Sequence, residues 1–251
     1  MDKLLTRFST EGLVIREMNV GESDRLVTLF TRDYGILKAF APGAKSIKSK
    51  KGAATSLLTY SNFTFVNKKG TLRIYEASPI AVFFGVGSDV KALSLAQYFC
   101  ELAYCFAPSE TPAFEMLRLI LNSLHFLTKE KRNISLIKAI TELRLAVLSG
   151  YSPNLVACEN CGKFESDIMY FNLNDGSLCC DECKEKEGLI PLDMGLLSAM
   201  RHIVYSQFDK IYSFNLNDSA ADRLSEITQN YITLQADQQF STLDFFNSIK
   251  E

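Results

Sequence analysis

With 251 residues, 47% of them hydrophobic and 22% charged, the chain can bury one large core or two modest ones, as ordinary globular proteins do. No apolar run reaches the roughly 18 residues of a membrane helix, and "MDKLLTRFSTEG" lacks the marks of a secretory signal, so a cytoplasmic protein with reduced thiols is expected. The net charge of −2 conceals a division: residues 1–80 carry 13 Lys/Arg against 7 Asp/Glu, leaving 14 against 22 for the rest, which points the N-terminal part toward an anionic polymer.

The first eighty residues read as strands. "EGLVIREM", "DRLVTLFTR", "GILKAFAPG", "SLLTYSNFTFV" and "TLRIYEASP" are short and rich in β-branched, aromatic and aliphatic residues. Phe63 and Phe65 alternate with polar neighbours, as a half-buried strand requires. Glycine-bearing breaks separate the segments: "NVGES", "RDYG", "GAKSIKSKKG" and "NKKG". Five short strands in such a length predict a small closed barrel of the oligonucleotide/oligosaccharide-binding (OB) type, because closure removes exposed edges. Another small β-domain is the alternative.

Between the third and fourth segments lies "APGAKSIKSKKGAATS". Lys45, Lys48, Lys50 and Lys51 fall within seven residues and no carboxylate accompanies them. Lysine, serine and glycine in a loop supply ammonium groups, hydroxyls and accessible backbone N–H groups, the chemistry that holds phosphates. Arg16, Arg25, Arg32, Lys38, Lys68, Lys69 and Arg73 add charge around it, with aromatic residues interleaved. Barrels of this type bind single strands through a positive groove and base stacking. A merely solvated basic loop is the competing reading.

After Ser88 the apolar period becomes helical. "DVKALSLAQYFCELAYCF" predicts one long helix, and "TPAFEMLRLILNSLHFLTKE" a second, capped by Thr111 with Pro112 at its first position. Leu117, Ile120, Leu121, Leu124 and Leu127 trace its apolar face. "ISLIKAITELRLAVLSG" repeats the pattern up to Gly150. A cysteine-rich, loop-like segment follows over about 151–188, then helices near 193–209 and 219–235 and a short C-terminal one. The expected organisation is an OB-type barrel over 1–80 and an α-helical domain over 81–251 that carries a four-cysteine zinc-finger insertion.

Five of the seven cysteines lie in "CENCGKFESDIMYFNLNDGSLCCDEC". Cys158 and Cys161 form one C-x2-C pair, and Cys180 and Cys183 form another 18 residues on. Each pair sets two sulfurs on one turn, and a hairpin can bring the turns together around a zinc ion. Cys179 could replace Cys180 in a C-x3-C pairing. Four thiolates and no neighbouring histidine leave no open coordination position, so the zinc is expected to be structural. Cys100 and Cys105 read as core residues, and His125, between Leu124 and Phe126, as packed rather than ligating. "GVGSD" lacks the third glycine and the βαβ setting of a dinucleotide site. No phosphate-binding P-loop, zincin or nucleophile-elbow motif is present. No enzyme is expected.

Jointly, these stretches resemble the RecO family of bacterial recombination mediators over essentially the whole chain. The similarity rests on "GLVIREMNVGESDRLVTLFTRDYGILKAFAPGAKSIKSK", on "ELRLAVLSGYSPNLVACENCG" and on "DGSLCCDEC", in which Asp175-Gly176 replaces the family's usual G-G and an extra cysteine intrudes. The resemblance implies a DNA repair and recombination protein of the bacterial cytoplasm and nucleoid. Such a protein binds single- and double-stranded DNA and anneals complementary strands. It implies RecR and the acidic C-terminal tail of single-strand-binding protein (SSB) as partners in loading RecA. It places DNA contact on Arg16, Arg25, Lys38, Lys45, Lys48, Lys50 and Lys51, and zinc on Cys158, Cys161, Cys180 and Cys183. The alternative is a zinc-stabilised protein-interaction module without direct DNA binding.

Overall fold

The computed structural model describes residues 7–46, 49, 51–68, 70–84, 89–129, 132–184 and 187–250. In chain order its elements are β1 (Arg7–Val20), β2 (Asp24–Thr31), β3 (Gly35–Ala41), β4 (Thr59–Lys68), β5 (Thr71–Val82), α1 (Val90–Phe106), α2 (Phe114–Lys129) and α3 (Ile134–Leu148). Then come β6 (Ile168–Phe171), β7 (Leu178–Cys180), β8 (Ile190–Asp193), α4 (Met194–Tyr205), α5 (Asp218–Ala236) and α6 (Ser241–Lys250). They fall into two compact units, residues 1–128 with 241–251, and residues 129–240. The change of pattern near residue 80 thus marks the end of the five N-terminal strands, while α1, α2 and α6 group with them.

The five N-terminal strands curl into an OB-like barrel in the order β1-β2-β3-β5-β4, with β4 returning to β1. Every neighbouring pair is antiparallel except β3 and β5, whose closure is thin: a single parallel pair, Phe40 with Arg73. Alternation decides which side chains go inside. Val14, Val27, Leu29, Ala39, Phe63, Phe65 and Ile74 fill the interior, and the rings of Phe63 and Phe65 stack at 5.8 Å. β1 starts earlier than its apolar pattern predicts, because Arg7 to Thr10 continue the ladder against β4. A bulge interrupts β1, where Val14 faces Leu29 but Arg16 faces Thr28. Ile15 is the extra residue, and the bulge turns Arg16 outward.

Gly35 opens β3 at φ 59°, and a Cβ there would sit 2.0 Å from the Pro108 carbonyl oxygen. That oxygen accepts the Ile36 N–H at 3.0 Å, so it is anchored. Gly35→Ala is therefore expected to cost at least about 2 kcal/mol through backbone strain and overlap, read as a lower urea midpoint. A variant as stable as the parent would show that the 108–111 segment yields freely.

α1 is capped by Asp89, whose carboxylate accepts the Ala92 N–H at 2.8 Å. α2 does not begin at Thr111 and Pro112 as the sequence predicts. The Ala113 N–H is drawn to the Arg32 carbonyl at the end of β2, and the helix starts at Phe114. Leu117, Leu119, Ile120 and Leu124 are its buried face.

In the other unit α3 is enclosed on nearly all sides and packs along α5. The N-caps of α3 and α5 are Asn133 and Asn217, which accept the N–H groups of Leu136 and Ala220. Each opens an N-x-[ST] triplet in the sequence. The segment expected to be loop-like carries a three-stranded antiparallel sheet, β7-β6-β8. Among the described residues no helix is long and apolar enough to cross a membrane.

Candidate functional site

The cations singled out in the sequence form two groups on the barrel. Arg16, Thr28 and Lys38 stand directly opposite one another across β1, β2 and β3, so they share one face. Tyr104 of α1 lies against this row: the Arg16 guanidinium is 3.8 Å from its ring centre and the Lys38 ammonium 5.8 Å. Among the described residues, Arg16 and Lys38 make no ion pair with a carboxylate. A cavity of about 660 Å³ opens beside them, walled by Ile15, Met18, Leu26, Glu17, Glu101 and Tyr104 among others. Both carboxylates are already engaged. Glu17 accepts the Leu57 N–H at 3.1 Å and lies 3.5 Å from Arg25, while Glu101 accepts the N–H and hydroxyl of Thr242.

The second group belongs to the lysine loop. Its base is pinned by Asp24, which accepts the Gly43 N–H at 2.7 Å; that bond, with the Ser23 hydroxyl, holds the carboxyl below its usual range. Lys45 is exposed, its ammonium 3.4 Å from the Gly21 carbonyl. Lys51 donates to the Ile74 carbonyl on β5 at 3.2 Å. Arg25 braces the far end of the loop, donating to the Gly52 carbonyl at 3.0 Å and to the Ser56 hydroxyl at 3.1 Å. Its charge is thus tied to the fold and to Glu17. Lys48, Lys50 and Lys69 lie outside the described residues, as do the first four residues of "GVGSD".

Further arginines stack on rings around the same unit: Arg7 over Tyr75 at 4.4 Å, Arg73 over Phe40 at 5.3 Å and Arg32 over Phe114 at 4.9 Å. Nothing in the sequence marked Tyr104 or Phe114 for this role, since each sits in a helix as any packing aromatic would. Of the barrel aromatics, Phe30, Phe63 and Phe65 are buried and Tyr75 is exposed.

The cysteine cluster is built by a hairpin. β6 and β7 pair from Met169–Cys180 to Phe171–Leu178, which swings Cys180 and Cys183 toward the turn that holds Cys158 and Cys161. Asp175-Gly176 makes the hairpin turn possible. Gly176 has φ 71°, and a Cβ there would lie 2.8 Å from the Tyr231 hydroxyl. The Glu159 N–H bonds to the Leu178 carbonyl at 2.8 Å and joins the two halves.

All four sulfurs of Cys158, Cys161, Cys180 and Cys183 lie within 4.8 Å of one another, with Cys161 and Cys180 at 3.6 Å. A tetrahedral thiolate site with bonds of ~2.3 Å has sulfur–sulfur edges of about 3.8 Å, so the cluster could hold a metal ion. Burial pushes the Cys158 thiol up, but N–H groups of Cys180, Cys161 and Asn160 outweigh it and bring the group to about 6. Cys183 shifts upward as it shares protons with Cys161 and Cys180. Cys179 is outside the four. Its thiol points to the Cys180 carbonyl at 3.4 Å, and burial, then the neighbouring Cys158, keeps it protonated. Cys100, in the cavity wall, is pushed up to about 12 by burial.

Two family models match the chain: one described as "Recombination protein O N terminal" over residues 5–83, and one described as "Recombination protein O C terminal" over residues 87–244. DNA repair protein RecO of Acetivibrio thermocellus is 32% identical over 241 residues, covering 96% of each chain. That of Caldicellulosiruptor bescii is 29% identical over 241 residues, covering 96% of this chain and 98% of its own. That of Dehalococcoides mccartyi strain CBDB1 is 27% identical over 244 residues, covering 97% and 96%.

Proposed function

The chain belongs to the RecO family, and from that premise we propose that it is a DNA repair protein that works by binding and pairing DNA strands rather than by catalysing a reaction. The observation that carries this reading is the pair of basic groups on the barrel: the Arg16–Thr28–Lys38 row and the lysine loop whose base is held by Asp24. Phosphate contacts by these cations would neutralise the repulsion between two strands and leave base edges free to pair, which allows annealing without nucleotide hydrolysis. The four-cysteine cluster would hold one structural zinc ion; with four thiolates it offers no open position for a reactive water. RecR, and SSB through its acidic tail, are the partners that membership of the family suggests, in loading RecA onto coated single strands.

The test is a salt series with a labelled single-stranded oligonucleotide. Replacing Lys45, Lys48, Lys50 and Lys51 by alanine should weaken binding and strand annealing together. The log–log salt slope should become shallower by about 0.7 for each phosphate no longer neutralised, two to three units in all. Annealing that survives unchanged would remove the loop from the mechanism. If wild-type protein bound no DNA even at low salt, a protein-docking role would take first place.

A further inference from the structure

Resting on that DNA-binding reading, we propose that the groove between the barrel and α1 is a single-strand-selective seat, distinct from the lysine loop, with Tyr104 as its specificity-determining residue. Two cavities, of about 660 and 610 Å³, share Lys38 and Tyr104 in their walls. One extends along Ile15, Met18 and Leu26, the other along Phe8 and Leu72. Each volume falls in the range of small-ligand sites, ~300–1,000 Å³, which suits a nucleotide or two and not a duplex.

The charges set the occupant. The carboxylates Glu17 and Glu101 are committed to partners within the unit, as described above, whereas Arg16 and Lys38 have no counter-ion among the described residues. The ground between Arg16 and Lys38 is therefore open to an anion, with apolar side chains to either side, Met18 and Leu26 in one cavity and Phe8 and Leu72 in the other, where Glu110 is the one carboxylate in the wall. A single strand meets both demands, with phosphates on Arg16 and Lys38 and a base packed on the Arg16–Tyr104 stack. Guanidinium planes and aromatic rings both serve as base platforms.

An acidic peptide would satisfy the charge alone. The strand is favoured because two cavities, one on each side, border Lys38 and Tyr104, so that successive nucleotides have a place to either side of the cations. The stack of Arg73 on Phe40 also extends the same face, since Phe40 follows Lys38 by two residues along β3. Lys45, the exposed lysine of the loop among the described residues, lines neither of these cavities and would meet the phosphates of either single strands or duplex.

The experiment compares labelled oligothymidylate with a duplex of equal length, using the full chain and four variants. Tyr104→Leu should lower single-strand affinity about tenfold, leave duplex affinity unchanged and leave the salt slope as it was. Tyr104→Phe should bind like wild type. Arg16→Gln with Lys38→Gln should flatten the single-strand slope by about 1.4 units, two phosphates at ~0.7 each. Arg16→Lys should keep the slope and lower the affinity. Thermal melting of each variant separates these effects from misfolding.

Equal losses on both probes, or no loss on oligothymidylate, would overturn the groove assignment while the DNA-binding reading stood. So would a groove variant that stops binding a glutamate-rich peptide yet holds DNA as before. Wild-type protein that bound neither probe would sink the DNA-binding reading, and the groove with it.

Discussion

Replacing Cys180 by serine is expected to abolish the zinc binding proposed for the four-cysteine cluster and to unfold the β6–β7–β8 module, whereas Cys179→Ser should leave both intact. The four-thiol cluster includes Cys180 and leaves Cys179 facing a backbone carbonyl. Structural zinc in small modules contributes an apparent ~10–16 kcal/mol of binding free energy at neutral pH. That is as large as the entire margin of a typical domain, ~5–15 kcal/mol, and exceeds what the few buried side chains of the module, Met169, Phe171, Leu178 and Leu192, would supply alone. Its strands are three or four residues long. Metal content by mass spectrometry should fall from roughly one ion per chain to near none in the Cys180 variant. A strong chelator should reproduce the loss of structure in the wild type. If Cys179→Ser released the metal and Cys180→Ser kept it, the ligand set would be wrong at that position.

The second large effect is expected at a pair that carries no chemistry. Lys138 and Glu142 form an ion pair at 2.9 Å inside α3, their side chains 1% and 0% exposed. The Lys138 ammonium also donates to the carbonyl and hydroxyl of Ser225 on α5, and the Thr228 hydroxyl donates to Glu142 at 2.7 Å. Lys138→Met would remove the cation that lies 2.9 Å from the buried Glu142 carboxylate, a loss of about 3–5 kcal/mol. Lys138→Met combined with Glu142→Leu removes both charges and should recover most of that loss, because a matched apolar pair is often as stable as a buried ion pair. Urea midpoints for the two variants give the comparison directly. A double variant no better than the single one would mean that the Ser225 and Thr228 bonds, rather than the uncompensated charge, dominate.

Neither residue looks unusual in "ISLIKAITELRLAVLSG". Lysine and glutamate four apart on a helix usually form an exposed pair worth ~0.3–0.5 kcal/mol. Only the coverage of α3 by α5 turns this one into a buried charge. The same limit applies to the basic face. Arg16, Arg25 and Lys38 are equivalent as letters, yet the fold separates them. Cross-strand register and a bulge set Arg16 and Lys38 in one row against Tyr104, while Arg25 is committed to Glu17, the Gly52 carbonyl and the Ser56 hydroxyl. The misplaced start of α2 has the same origin. Thr111 and Pro112 are sound local signals, overruled by a hydrogen bond from Ala113 to the end of β2.

What the sequence determined by itself was whatever neighbouring residues decide. Alternation and glycine breaks specified five N-terminal strands, the helical apolar period specified the helices after them, and the C-x2-C spacing placed two sulfurs on each of two turns. The charge division between the two parts was likewise legible, because it needs only counting. Tertiary structure decided which cations remain open to a ligand and which of two adjacent cysteines turns toward the cluster. It also decided where a helix begins against a strand end and that a lysine–glutamate pair is buried. Each of these depends on atoms brought together from distant parts of the chain, and burial and pairing across such distances leave no periodic mark on the sequence.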